Sequence, residues 1–253
     1  MARTESAGNR LQREREHDRR IALRAEVIWN WNSPAGHRRV ERRAALLALG
    51  IDLTPGQQAL ELGCGTGLFL EKVAQAGKAF HGLDLSMDLL IQARDRLFGR
   101  QGIFLECGNA EQLPFPDFTF DAVYGSSVLH HLDLDLVLRE VFRVLKPGGR
   151  ISFAEPNLLN PQIFAMFHLA PFRSHWGISP DEMAFTRFHC ARILHRLGYC
   201  NVSVRPYDFL HPSIPVAYLG WATALGKLFE HLPLIREIAG SMIISARKPQ
   251  TTR

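Results

Sequence analysis

At 253 residues, 46% of them hydrophobic, with a formal net charge of +5, the chain has material for one large cored α/β-sized domain, which excludes a fibrous or wholly disordered protein. Its four cysteines, Cys64, Cys107, Cys190 and Cys200, show no CxxC spacing, so neither a zinc framework nor a disulfide scaffold is expected and no metal is assigned. Met1 to Arg20 is polar and lacks an apolar leader core, which with the cysteine usage points to the cytoplasm.

The charge is concentrated at the start. Residues 1–50 hold 11 arginines against 6 acidic residues, and the remainder is near neutral. Such an arm suits nucleic acid, an anionic membrane face or an anionic substrate. It equally suits a solvated helix face with i,i+4 pairs such as Glu16 and Arg20. From Leu11 to Trp31 a loose helical stripe is formed by Ile21, Leu23, Val27, Ile28 and Trp31, and Asn32 to Gly36 breaks it. A second helix is predicted over about His37 to Leu49, ending at Gly50. Its Arg38, Arg39, Arg42 and Arg43 fall on neighbouring turns, where they bind an anion or coat a helix whose apolar side (Val40, Ala44, Leu47) covers a sheet. Residues 1–50 are expected to form a basic helical cap on a domain comprising 51–253.

Strand–helix alternation begins after Pro55-Gly56. Strands are predicted at about 58–62, 79–84, 103–106, 120–125, 150–155, 202–206 and 241–247. Helices fall at about 67–76, 87–98 and 134–145. Ser179-Pro180-Asp181-Glu182 has the N-cap, first-turn proline and acids of a helix start, predicting a helix to about Leu197. Repeated units of this kind imply an α/β fold: a seven-stranded, mostly parallel sheet with helices on both faces. Residues 208–240, before the last strand, are too long for a hairpin loop. Within them Pro212 to Gly226 carries no charge, and the run is too short to span a bilayer. An interfacial helix, a lid over a greasy substrate and an ordinary packing insert all fit.

The stretch with the most chemistry is Ala59 to Phe69. An apolar run meets three glycines in alternate positions, Gly63, Gly65 and Gly67, and an amphipathic segment follows. Without side chains these glycines let backbone approach a ligand, in the crevice beyond a parallel strand where open α/β sheets bind. The dinucleotide fingerprint G-x-G-x-x-G fails, because Leu68 and Leu70 stand where its third glycine belongs. What stands there is Glu61-x-Gly63-x-Gly65-x-Gly67. This resembles the signature motif of class I S-adenosylmethionine (SAM)-dependent methyltransferases.

Further segments resemble that family in order, over about 57–155. Asp84, ending the second strand, matches the carboxylate that accepts both hydrogen bonds of a ribose diol. Cys107 to Phe115 is similar to the adenine-recognition loop: Asn109 stands where the family more often has Asp, and the Ala110 N–H can serve a ring nitrogen. Leu85 and Met87 are candidate apolar walls for adenine, or plain helix-start packing. Phe120 to Leu132 resembles the fourth-strand motif, whose end, Ser126–Ser127, passes the methionine portion. Leu145 to Arg150 matches the turn into the fifth strand. The resemblance implies a Rossmann-like sheet with an antiparallel last strand, SAM as cofactor, and Glu61, Gly63, Cys64, Gly65, Gly67, Asp84, Leu85, Met87, Asn109, Ala110 and Ser126 around it.

A sulfonium methyl is already activated, so transfer depends on in-line placement more than on protein acids and bases. If the acceptor is a hydroxyl a base helps, and His131, after the fourth strand, is the candidate; alternatively the His130-His131 pair is scaffold. Glu155, Asn157 and His168 are weaker candidates for contacting substrate. Ser179 to Glu182, Asp208 to Pro212 and Ala239 to Ser241 are similar to segments of bacterial methyltransferases (the type 11 group) acting on small-molecule, quinone-like or cell-surface glycolipid substrates. The expected function is methyl transfer from SAM to a small, apolar or lipid-linked acceptor, with peripheral membrane contact through 210–236 and no obligate protein partner. The alternatives are an RNA or protein methyltransferase using the arginine arm, and a non-catalytic SAM-fold module. Nucleic acid is disfavoured, since no aromatic-interleaved basic patch accompanies the arm.

Overall fold

The computed structural model describes residues 11–13, 15–16, 19–20, 22–169, 173 and 182–250. Seven strands form a single sheet: β1 (Gln58–Leu62), β2 (Ala79–Asp84), β3 (Ile103–Cys107), β4 (Phe120–Ser126), β5 (Leu145–Pro156), β6 (Cys200–Tyr207) and β7 (Ser241–Arg247). Their order is β3-β2-β1-β4-β5-β7-β6. β1 to β5 pair in parallel, and β7 runs antiparallel to both β5 and β6. The order reverses between β1 and β4, which opens a crevice at their carboxyl ends, where such sheets bind ligands.

The central strands read as continuous apolar runs because both of their faces are covered. On one face pack α1 (Pro34–Ile51), α2 (Leu68–Val73) and α3 (Met87–Arg96), with Val40, Leu47, Leu70 and Ala93 meeting Phe80, Tyr124 and Ala154. On the other lie α4 (Leu134–Val144) and α6 (Arg187–Arg196), where Val137, Leu138, Val141, Ile193 and Leu194 meet Phe120, Val123, Ile151 and Phe153. In α4 the buried positions recur at helical spacing, and the Asp133 side chain caps its start by accepting from Asp135 N and Leu136 N, both at 3.1 Å.

Three expectations are corrected. The segment Asn32 to Gly36 does not merely break a helix; it begins the next one. Ser33 caps α1, accepting from Gly36 N at 2.9 Å, and Pro34 takes the first turn, where a missing N–H costs nothing. The helix expected from Ser179 covers only Arg187–Arg196 among the described residues, capped by Thr186; residues 179–181 lie outside them. And β5 starts at Leu145, so the Pro147-Gly148-Gly149 turn lies within the strand's span, where the pairing with β4 shifts register.

The insert before β7 contains α7 (Leu219–His231), and a further helix, α5 (Pro161–His168), follows β5. α5 lines the carboxyl-end crevice through Ile163, Met166 and Phe167. Ion pairs tie the insert to α1: Arg39 to Asp208 at 2.7 Å, and Arg42 to Glu230 through both guanidinium nitrogens. The Glu230 hydrogen bond holds the Arg42 guanidinium above its usual range despite burial. Among the described residues no helix is long and apolar enough to cross a membrane.

Candidate active site

The glycine turn follows directly from β1. Gly63, Gly65 and Gly67 all have positive φ (61°, 51° and 77°), a region that L side chains enter only with strain. Space is also short at the first: a Cβ on Gly63 would stand 2.5 Å from Val128 Cγ2. The turn is closed by Gly67 N donating to Cys64 O at 2.8 Å and by Cys64 N donating to Leu83 O at 3.1 Å, which locks it to β2.

Asp84, at the end of β2, is buried beside this turn. Its two oxygens accept from Gly65 N at 2.7 Å and Ser86 N at 2.9 Å. Each oxygen keeps a further lone pair for a ligand. Burial pushes the Asp84 carboxyl above the usual aspartate range, while these N–H groups pull it back. Across the crevice the Asn109 side chain accepts from Glu111 N at 2.9 Å, an Asx turn that presents the buried Ala110.

A third wall is Ser126-Ser127 at the end of β4. Ser127 has φ +56° and donates its N–H to Ala154 O. Both hydroxyls accept from Arg43 of α1, at 3.1 and 2.8 Å, and Ser241 Oγ accepts from its other terminal nitrogen at 2.9 Å. Arg43 is only 3% exposed, lies over the Trp31 ring, and its Nε is buried without a hydrogen-bond acceptor. A buried guanidinium among hydroxyls is costly until an anion meets it.

A further wall is a one-turn 3-10 helix, Leu129–His131. Fully buried Glu155 holds that turn from beneath: one oxygen accepts from Val128 N and Leu129 N, each at 2.9 Å, and the other bonds His130 Nδ1 at 2.8 Å. His131 is thereby aimed into the cleft, its Nδ1 3.9 Å from Glu182 Oε1. One donor atom from each of His130, His131 and Glu182 lies within 4.8 Å of the others. The His130–Glu155 bond and the His131–Glu182 pair account for this grouping.

These walls enclose a cleft of about 900 Å³. Of the residues predicted around the cofactor, Gly63, Cys64, Gly65, Asp84, Leu85, Asn109, Ala110 and Ser126 line it, as does His131. Three do not. Glu61 is buried behind the turn, where desolvation holds its carboxyl well above the usual glutamate range. Gly67 packs against Ala93 and Leu97 of the α3 side, and Met87 is exposed on α3. Asn157 is fully buried, its amide donating to Glu237 O and Ala239 O, and His168 is exposed and stacked on Phe164. Arg43, Trp29, Trp31, Thr66, Glu182 and Asp208 also line the cleft; the sequence marked Arg43 as an anion binder or a helix coat and gave the others no role at the cofactor. The arginine repeat was a usable signal for Arg43.

Residues 26–31 pack against the glycine turn. Glu26 accepts from Thr66 Oγ1 at 2.6 Å and pairs with Arg96 at 2.6 Å, while the Trp29 ring reaches 3.6 Å from where a Gly65 Cβ would be.

Residues 60–153 match the family model described as a methyltransferase domain. A demethylmenaquinone methyltransferase from Anoxybacillus flavithermus is 31% identical over 182 residues, 63% of this chain and 76% of that protein. The chain belongs to the class I SAM-dependent methyltransferases. A second relative, the demethylmenaquinone methyltransferase of Tropheryma whipplei, is 40% identical over 115 residues, 45% of this chain. The match spans about half (47%) of that protein's length. Among solved structures, phosphoethanolamine N-methyltransferase 2 from Haemonchus contortus, in complex with S-adenosyl-L-methionine, superimposes with a TM-score of 0.66 at 20% identity, covering 93% of this chain and 60% of that one. At that identity the likeness concerns the fold. In this chain the glycine turn, the acid ending β2 and the end of β4 face one crevice.

Proposed function

We propose that the chain transfers a methyl group from SAM to a small apolar acceptor of the quinone-like or lipid-linked kind, by in-line displacement. The observation that carries this reading is the buried, anion-seeking Arg43 on the same crevice as the glycine turn and Asp84. The donor set suits the three parts of SAM. Asp84 accepts from the ribose diol, Asn109 and the Ala110 N–H meet the adenine edge, and Arg43 takes the methionine carboxylate. At Gly65 a Cβ would meet only the Trp29 ring, at 3.6 Å, so the bare backbone there is open to close approach by a ligand.

When bound, SAM supplies an electrophilic methyl on a sulfonium. The protein's contribution is placement. Ser126, Ser127 and Arg43 fix the methionine end, and the Glu155-braced turn fixes His131 on the far side. His131, backed by Glu182, takes the proton of a hydroxyl or similar acceptor. The acceptor half of the cleft is walled by Leu132, Ile163, Met166, Phe167, Phe209 and Leu210, which favours an apolar ring or chain. The relatives' name, demethylmenaquinone methyltransferase, supports a quinone-type acceptor. The described part of residues 1–50, from Ala22 on, acts as a cap over this site, with the chain from residue 51 on supplying the methyltransferase domain.

The test is a labelled-methyl SAM assay on cell extract fractionated into lipid, small-molecule, protein and nucleic-acid pools. Label in the lipid or small-molecule pool, lost with Asp84→Ala, is the expected result. Label confined to protein or nucleic acid would overturn the acceptor assignment, and no label in any pool would overturn the activity.

A further inference from the structure

The insert between β6 and β7 buries little of its apolar content. In α7 the inward stripe is Leu219, Thr223, Gly226 and Glu230, all buried or partly buried. Helical spacing places Trp221, Ala224, Leu228 and His231 on the opposite side, and all four are exposed. Trp221 is 70% exposed and Leu234, just beyond the helix, 87%. Val216 and Tyr218, just before α7, and Ile238, after it, are exposed as well. An apolar patch of this extent is uncommon on a surface that meets only water.

Its charge is one-sided. The three carboxylates of 208–240, Asp208, Glu230 and Glu237, are each paired inward, with Arg39, Arg42 and Arg187. Lys227 is the exposed charged residue of α7. Tryptophan and tyrosine rings, aliphatic side chains, a lysine and no outward carboxylate form the chemistry of a helix lying in an anionic lipid interface. The patch also adjoins the cleft mouth. Phe209 to Ser213 line the cleft and lead straight into the exposed run, and Asn160, which caps α5, donates from its amide to Ile238 O. Phe164 and Leu169 add exposed apolar side chains there.

We propose that residues 215–238, with the outer side of α5, form a docking surface for an anionic bilayer leaflet, seated so that the cleft mouth opens toward the lipid and receives its acceptor from it. This rests on the apolar-acceptor reading above for its purpose; the docking itself does not. The occupant is an anionic lipid surface: the outward charge is Lys227, the carboxylates are turned inward, and the exposed Trp221, Tyr218 and Leu234 stand out from the surface rather than lining a groove.

The experiment is co-sedimentation of the full chain with vesicles of phosphatidylcholine alone and of phosphatidylcholine mixed with phosphatidylglycerol, with SAM binding measured calorimetrically on the same samples. Binding to the mixed vesicles, weaker in high salt and on neutral vesicles, is expected. Trp221→Glu and Leu234→Glu should each reduce it by about tenfold or more while SAM binding stays as in the parent, which verifies folding. Lys227→Gln should reduce the anionic-lipid preference without touching SAM binding. A chain that stays in the supernatant with both vesicle types overturns the proposal, as do glutamate variants that bind like the parent. A dimer in light scattering that Trp221→Glu dissolves, without vesicle binding, places a second copy on the patch and overturns it too. Vesicle binding without SAM binding leaves the docking surface standing and sinks the cofactor reading instead.

Discussion

A carboxylate buried beside a glycine turn has a pH signature. In the proposed complex a ribose diol would donate to Asp84 and so favour the ionised form, whereas burial favours the protonated one. SAM affinity should therefore fall as pH drops through a midpoint above the usual aspartate range, and Asp84→Asn should be weak and flat across that window in calorimetry. Glu61 behaves oppositely and through stability. Its folded carboxyl keeps a proton that the unfolded chain has released, so its contribution is complete below the unfolded value and declines as pH rises toward the folded one. Glu61→Gln should flatten that decline in denaturant titrations while leaving SAM binding near the parent's. Arg43 separates two ligand chemistries. Arg43→Met should cost SAM about 1.5–3 kcal/mol, the worth of a charged hydrogen bond, and should leave binding of methylthioadenosine, which lacks the carboxylate, nearly unchanged. Equal loss for both ligands would mean that Arg43 serves the wall rather than the carboxylate.

The 3-10 turn after β4 shows how one buried group organises an element. Glu155 satisfies Val128 N, Leu129 N and His130 Nδ1 at once. Glu155→Ala would orphan all three and should cost about 3 kcal/mol or more, since each unsatisfied buried donor costs ~1–3 kcal/mol. Glu155→Gln retains an acceptor and should cost less; urea unfolding of the two variants checks the order. The β-strands and the glycine turn were legible in the sequence because their signals are local: an apolar run, alternate glycines, an acid one strand later. The ends of helices were less so. Ser33-Pro34 looked like a breaker because a cap and a turn use the same residues. Glu155 looked like a substrate contact because an acid at a strand end carries no mark of which way it faces.

At the scale of the molecule, what could not be read in advance is what joins distant parts of the chain. Arg43 meets Ser241 across 198 positions, and Arg39 meets Asp208 across 169. No periodicity encodes such a pairing. These contacts bring α1, the insert and the start of β7 to one cleft, so elements from opposite ends of the chain meet at it. Arg42→Met should loosen the insert from α1. Because Glu230, which also accepts from Asp208 N, then loses both hydrogen bonds from the guanidinium, faster hydrogen exchange is expected in 208–231 and unchanged exchange in β1 to β4. Uniformly faster exchange would mean that the insert and the sheet open as one unit. The central claim is that the crevice between the glycine turn, Asp84 and Arg43 is a SAM site. Its most direct test is calorimetric titration of SAM into the full chain and into Asp84→Ala. One-site binding that the substitution weakens by about tenfold or more, as loss of charged hydrogen bonds requires, is the predicted result. No binding to the parent chain, or equal affinity in both proteins, would contradict it.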